Sequence, residues 1–274
     1  MDTTTHTAPA IVLVPGHWLG AWAWDAVSAD LRGRGHHVTA LTLPGLDPED
    51  PDRGSATVTQ QVDALRSAVD AAAARGSAVV LVAHSGAGVP TSVLLDRDPT
   101  AVARVIYVDS GPSADGSAFD AAVPPDTEEV PLPPFEQLVA SLEGLSDADL
   151  KRFREQAVPE PGSVIRETVH LNNDARRDVP STIIASSYPS QVMMQMARDG
   201  HPMMAEVATL RDLELVDLPT GHWPMWSRPT DLNIPRFVSR TGSWRQESRH
   251  RSGQSETPTT MPSLSRSMGC TRLS

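Results

Sequence analysis

The chain has 274 residues, 39% of them hydrophobic, and a formal net charge of −11. That is enough apolar side chain for one large core or two small ones, and the acidic balance argues against nucleic-acid binding. The single cysteine, Cys270, excludes an intrachain disulfide and a cysteine-based metal site. No apolar run of about 18 residues is present, so no membrane span is expected. The first nine residues lack the basic and apolar regions of a signal peptide, and a cytoplasmic protein is the simplest expectation. The charge is uneven. From Arg236 to Ser274 seven arginines face Glu247 and Glu256, a net of +5 that leaves −16 on the remainder.

Ile11-Val12-Leu13-Val14 reads as a short strand running into Pro15-Gly16-His17-Trp18-Leu19-Gly20-Ala21-Trp22-Ala23-Trp24. A helix is expected from about Ala23 to Arg34, ended by Gly35, then a strand over Val38–Leu43 closed by Pro44-Gly45. Thr57–Arg75 reads as a long helix with Val58, Val62, Leu65 and Val69 on one stripe. Ala78–Val82 and Val105–Val108 are continuously apolar, the pattern of strands buried on both faces of a parallel sheet. Strands alternating with helices give an α/β class, with every strand's C-terminal end on one edge.

From Gly111 to Asp178 the rhythm changes, and Ala122–Pro134 alone holds five prolines. Two short helices are expected there, Phe135–Leu142 and Asp147–Ala157, the second with Ser146 as N-cap and Asp149 three residues on. This reads as a cap inserted over the sheet edge at about 111–180; the alternative is a disordered loop. The sheet pattern resumes at Thr182–Ala185. A helix over Ser190–Asp199 and a last strand over Leu213–Leu218 follow, leading to Gly221-His222. Ser, Thr, Arg, Gly and Pro dominate the end of the chain. Residues 10–235 are therefore expected to form the folded domain, and 236–274 a disordered basic tail, with disorder clearest from about Thr241.

Ser85 stands just past the apolar Ala78–Val82 strand and is flanked two positions away by Ala83 and Ala87. This is the spacing of a nucleophile elbow, with alanine for both glycines. A sharp strand-to-helix turn needs tiny side chains at those positions. The same serine could instead simply cap the following helix. His222, just past the last strand, is the candidate base. Asp109, ending the strand after Ser85's helix, is the candidate acid; it could also merely cap the Asp-Ser-Gly-Pro turn. Asp199 and Asp217 are weaker acid candidates. The backbone N–H groups of His17 and Gly86 are placed to form an oxyanion hole. His84 is expected to point into packing. Met193, Met194, Met196, Met203 and Met204 form a cluster that reads as core filling or as a lining for an acyl pocket.

These motifs together resemble the α/β-hydrolase fold. Val14-Pro15-Gly16-His17-Trp18 with Gly20-Ala21-Trp22-Ala23-Trp24, the Ala83–Ala87 elbow and Gly221-His222 are similar to the plant esterase and hydroxynitrile-lyase-like branch. The resemblance covers about Ala10 to Pro229. It implies a mostly parallel sheet of about six strands, helices on both faces and a small helical cap. It also implies an ester hydrolase with Ser85, His222 and Asp109 as its catalytic residues, a small-molecule substrate, no cofactor and no metal. A homodimer stays open. Two departures stand out. Pro15 replaces the family's usual histidine, and no carboxylate lies near Ser186-Ser187-Tyr188-Pro189, where that branch usually carries its acid. Some relatives carry the acid one strand earlier, which favours Asp109. The rival expectations are a lyase on the same scaffold, with Lys151 as its cationic group, and a binding protein that keeps the elbow.

Overall fold

The structure is a computed structural model that describes residues 8–232 together with Ile234 and Arg236. The expected disordered tail over 236–274 lies outside the described residues, Arg236 apart. In chain order, β1 (Ala10–Val14) leads through a 3₁₀ turn (Ala21–Trp24) into α1 (Asp25–Gly33). Then come β2 (Val38–Ala40), α2 (Val58–Ala73), β3 (Val79–His84), α3 (Gly88–Arg97) and β4 (Arg104–Val108). The insertion holds β5 (Glu129–Val130), α4 (Asp147–Gln156), β6 (Glu160–Pro161) and α5 (Gly162–Arg166). The sheet resumes with β7 (Ser181–Ala185), followed by α6 (Ser190–Arg198), β8 (Leu213–Asp217) and α7 (Pro224–Ser227).

Six of these strands form one sheet in the order β2-β1-β3-β4-β7-β8, every neighbouring pair parallel. β1, β3, β4 and β7 are buried along their whole length. Helices cover both faces, which is why these strands are apolar without alternation. Alternate residues feed two cores. Val12, Val14, Leu81 and Ala83 pack with Val62, Leu65 and Val69 of α2. Ile11, Leu13, Val80 and Val82 pack with Trp24, Val27 and Leu31 on the opposite face. α2 starts in a capping box, Thr57 and Gln60 each accepting the other's backbone N–H. Parallel pairing puts the residues after β1, β3, β4, β7 and β8 on one edge, where a site can be built.

The insertion between β4 and β7 is ordered rather than a loose loop. β5 and β6 pair antiparallel, and α4 begins in the expected Ser146–Asp149 capping box. Phe153 of α4 is fully buried against Trp223, Trp226 and Phe135. The expected helix over Phe135–Leu142 does not form; only a single 3₁₀ turn, Phe135–Gln137, is present. The reason is a period of two. Leu138, Ala140 and Leu142 pack toward the core, while Val139 between them is 99% exposed. The extended chain also offers the Ser141 and Glu143 carbonyls to the backbone N–H groups of His222 (2.8 Å) and Gly221 (3.0 Å). The insertion thereby fixes the loop that carries His222. β2 is shorter than the expected Val38–Leu43, and among the methionines Met193 is buried in the core while Met203 is 73% exposed.

Candidate active site

Ser85 is the first residue after β3. It opens a 3₁₀ turn that feeds α3. Its φ is +50°, a left-handed conformation that serine rarely takes. Asp109 (φ +42°), directly after β4, and Trp18 (φ +65°), in the loop after β1, share that conformation. Three strained residues thus gather at one sheet edge, and strain of this kind, about 1–3 kcal/mol per residue, concentrates at functional sites. The loop after β1 comes close enough to Ser85 to require glycine. A Cβ on Gly16 would lie 2.6 Å from Ser85 Cβ.

The three side chains singled out from sequence meet. Ser85 Oγ lies 2.8 Å from His222 Nε2, and His222 Nδ1 lies 2.5 Å from Asp109 Oδ2. A carboxylate accepts from Nδ1–H, so Nε2 is left to accept the serine hydroxyl proton. Asp109 is held by more than His222. Ser186 N–H (3.0 Å) and Ser187 N–H (2.9 Å) donate to its Oδ1, and Ser187 Oγ donates to its Oδ2 at 2.5 Å. The loop after β7, which lacks a carboxylate of its own, thus supplies the donors that hold the carboxylate of the neighbouring strand. Burial pushes the Asp109 carboxyl up, but the hydrogen bond and charge of His222 and the Ser187 donors outweigh it and hold it well below the usual carboxylate range. The other acids are engaged elsewhere. Asp217 accepts from Ser190 N–H (2.6 Å) and Ser190 Oγ (2.8 Å) at the start of α6, and Asp199 accepts from Gln195 (2.9 Å).

His84 is buried as expected, but it does more than pack. Gly16 N–H donates to its Nδ1 at 3.3 Å, so its Nε2–H is the group that meets the His222 carbonyl at 2.8 Å. One imidazole therefore ties the loop after β1 to the loop that carries His222. Burial and the neighbouring His222 lower its pKa to about 3, which keeps the ring neutral. Nothing in the sequence around His84 signals this bridge, because both partners are backbone groups distant in the chain.

His17 lies between two bound neighbours: Gly16 N–H is taken by His84, and Trp18 N–H donates to Glu160 Oε1 at 3.1 Å. Gly86 directly follows Ser85. A Cβ at Gly86 would lie 2.2 Å from His17 Nε2, so the His17 ring occupies the space that a side chain there would fill. Both residues expected to supply oxyanion donors are thus beside Ser85. Glu160, which sequence reading did not single out, receives His17 Nδ1 at 3.0 Å. Lys151 is outside the site: its side chain is 74% exposed and pairs with Glu155 at 3.8 Å. Among the described residues no cluster of His, Cys, Asp and Glu could hold a metal ion, and no helix is long and apolar enough to cross a membrane.

A family model for the alpha/beta hydrolase family matches residues 11–233. The chain belongs to this family. Methylesterase 7 of Arabidopsis thaliana is 27% identical over 247 residues, covering 81% of this chain and 92% of that protein. Probable hydrolase R7 of a Phoma species is 28% identical over 243 residues, covering 82% and 96%. Esterase PIR7B of rice is 36% identical over 110 residues, a stretch that spans 39% of this chain and 41% of the esterase. Among solved structures, an Arabidopsis methylesterase superposes with a TM-score of 0.67 at 20% identity, covering 84% of this chain and 99% of that one. These hydrolases share the fold; at that identity the structural likeness extends no further.

Proposed function

We propose that this chain is a serine hydrolase that cleaves carboxylic esters of small to medium apolar molecules through an acyl-enzyme on Ser85. The observation that carries this reading is the continuous line Ser85 Oγ–His222 Nε2 (2.8 Å) and His222 Nδ1–Asp109 Oδ2 (2.5 Å). Ser85 Oγ attacks the ester carbonyl as its proton passes to His222 Nε2. Asp109 fixes the ring's tautomer and stabilises the imidazolium. The N–H groups of His17 and Gly86 bind the oxygen on which negative charge develops. When the carbon–oxygen bond to the alcohol breaks, the alcohol leaves with the proton from His222. Water then gives a proton to His222 and its hydroxyl to the acyl carbon, and Ser85 recovers its proton as the acid departs.

The relatives named esterase and methylesterase support ester chemistry. Phe119, half-exposed and edge-on to His17 at 4.2 Å, offers apolar surface beside the site. The exposed, paired position of Lys151 speaks against a lyase that needs a cation at the reacting centre. The same reading takes the protein to be cytoplasmic, with a small molecule rather than nucleic acid or a membrane as its partner. Ser85→Ala and His222→Ala are each expected to lower kcat on p-nitrophenyl butyrate by about 10³-fold or more, with an unchanged circular-dichroism spectrum. Undiminished hydrolysis by the Ser85→Ala protein would remove the mechanism.

A further inference from the structure

Ser85 is flanked by a second histidine–carboxylate pair that the cycle above leaves unused. His17 and Glu160 are both more than nine-tenths buried. Glu160 Oε1 accepts from Trp18 N–H and His17 Nδ1–H, at 3.1 and 3.0 Å. A carboxylate takes only a proton-bearing nitrogen, so this contact selects the Nδ1–H tautomer, whose lone pair is at Nε2. Two atoms then stand buried without a partner, His17 Nε2 and Glu160 Oε2. Such atoms cost free energy unless something meets them. Both residues line one small cavity with Gly16, Gly86, Leu43 and Gln61. Gln61 gives its amide N–H to the Pro44 carbonyl at 3.1 Å.

The position of this cavity decides which part of a substrate it can meet. β1 lies on one side of β3, while β4 and β8 lie on the other. His17 therefore approaches Ser85 from the side opposite His222 and Asp109. His222 must face the leaving alcohol, to which it hands a proton. The carbonyl oxygen faces His17 and Gly86, and a hydroxyl on the acyl carbons next to the carbonyl can lie on the same side as that oxygen. The cavity has room for a group about the size of a water molecule.

We infer that His17 Nε2, held by Glu160, is a specificity-determining acceptor for a hydroxyl on the acyl chain close to the scissile carbonyl. This rests on the reading of Ser85 as the nucleophile. Wild-type protein would be assayed on ethyl 2-hydroxybutanoate and ethyl 3-hydroxybutanoate against ethyl butanoate, each kcat/KM divided by the ester's rate of alkaline hydrolysis. A site that hydrogen-bonds a substrate hydroxyl rejects the analogue lacking it, and a preference of about tenfold or more for at least one hydroxy ester is expected. His17→Phe should bring that ratio to about one. Glu160→Gln, whose amide oxygen can still accept from Nδ1–H, should keep most of it, and Glu160→Leu should lose it. Labelling of Ser85 by a fluorophosphonate in each variant separates a changed ratio from a collapsed site. Equal handling of the three esters by wild type, or a preference that survives His17→Phe, overturns the inference and leaves water as the cavity's occupant. Failure of the phosphonate to label Ser85 in wild type would instead remove the nucleophile reading beneath it.

Discussion

Two histidine–carboxylate pairs stand at the elbow, one reaching Ser85 through His222 and one lying against Gly86, and they are built differently. Asp109 sits at the end of a buried strand and has both oxygens occupied, by His222, Ser186 and Ser187. Glu160 sits on a two-residue strand of the insertion, with one oxygen taken by two donors and the other without a partner. A saturated carboxylate fixes one ring position, as proton transfer within hydrogen-bond reach requires. A half-satisfied one keeps a ring in place and leaves capacity for something else. The carboxylate at the sheet edge is thus saturated, while the one from the insertion keeps an oxygen unmatched.

The comparison breaks most severely at Asp109. Asp109→Asn should keep the fold and lower kcat by about 10⁴-fold, because the amide can donate to His222 and favour the wrong tautomer. Steady-state assays on p-nitrophenyl butyrate, with the thermal midpoint as control, check this. A loss below about tenfold would mean that Asp109 is only a turn residue.

A smaller effect is expected at His84, which joins the two sides. Its folded pKa of about 3 lies below the ordinary 6.5. Between those values the unfolded chain binds a proton that the folded chain refuses, so stability is full above about pH 6.5 and falls as pH drops toward 3. Asp109 adds a loss in the same direction below the usual carboxylate range, since its folded pKa is also depressed. His222, Asp109 and His17 are the charged or titratable neighbours that His84 feels. Urea unfolding at a series of pH values should show both losses in wild type. In His84→Phe only the lower one should remain, on a protein already weakened by about 1–3 kcal/mol through the unpaired Gly16 N–H and His222 carbonyl. An upper loss that persists in the variant would assign it to another group.

The smallest effect should come from Lys151→Ala, which removes an exposed ion pair within α4. A stability change within about 0.5 kcal/mol and an unaltered kcat are expected. A large drop in kcat would bring the lyase reading back.

What the sequence made legible follows the same division. β1, β3, β4 and β7 are buried on both faces, so their apolar runs declare them, and Ser85, Asp109 and His222 stand where those strands and β8 deliver them. The insertion was harder to read because its local patterns are short. Leu138, Ala140 and Leu142 alternate over too few residues to be told from a helix, and Glu160 is one acid in a proline-rich stretch. The donors to Asp109 from Ser186 and Ser187, and the bridge made by His84, use backbone groups, which no side-chain pattern reveals. The family resemblance placed an acid after β7 as the usual arrangement. The departure at 186–189 becomes intelligible only once Asp109 is seen to reach across from β4.

The most direct measurement is rapid-quench mass spectrometry of the protein turning over p-nitrophenyl butyrate, with mapping of the modified peptide. A butyryl adduct on Ser85, formed and discharged at rates compatible with kcat, is the predicted result. Consumption of the ester with no acyl group on Ser85 at any quench time, and the adduct on another residue or on none, would contradict it.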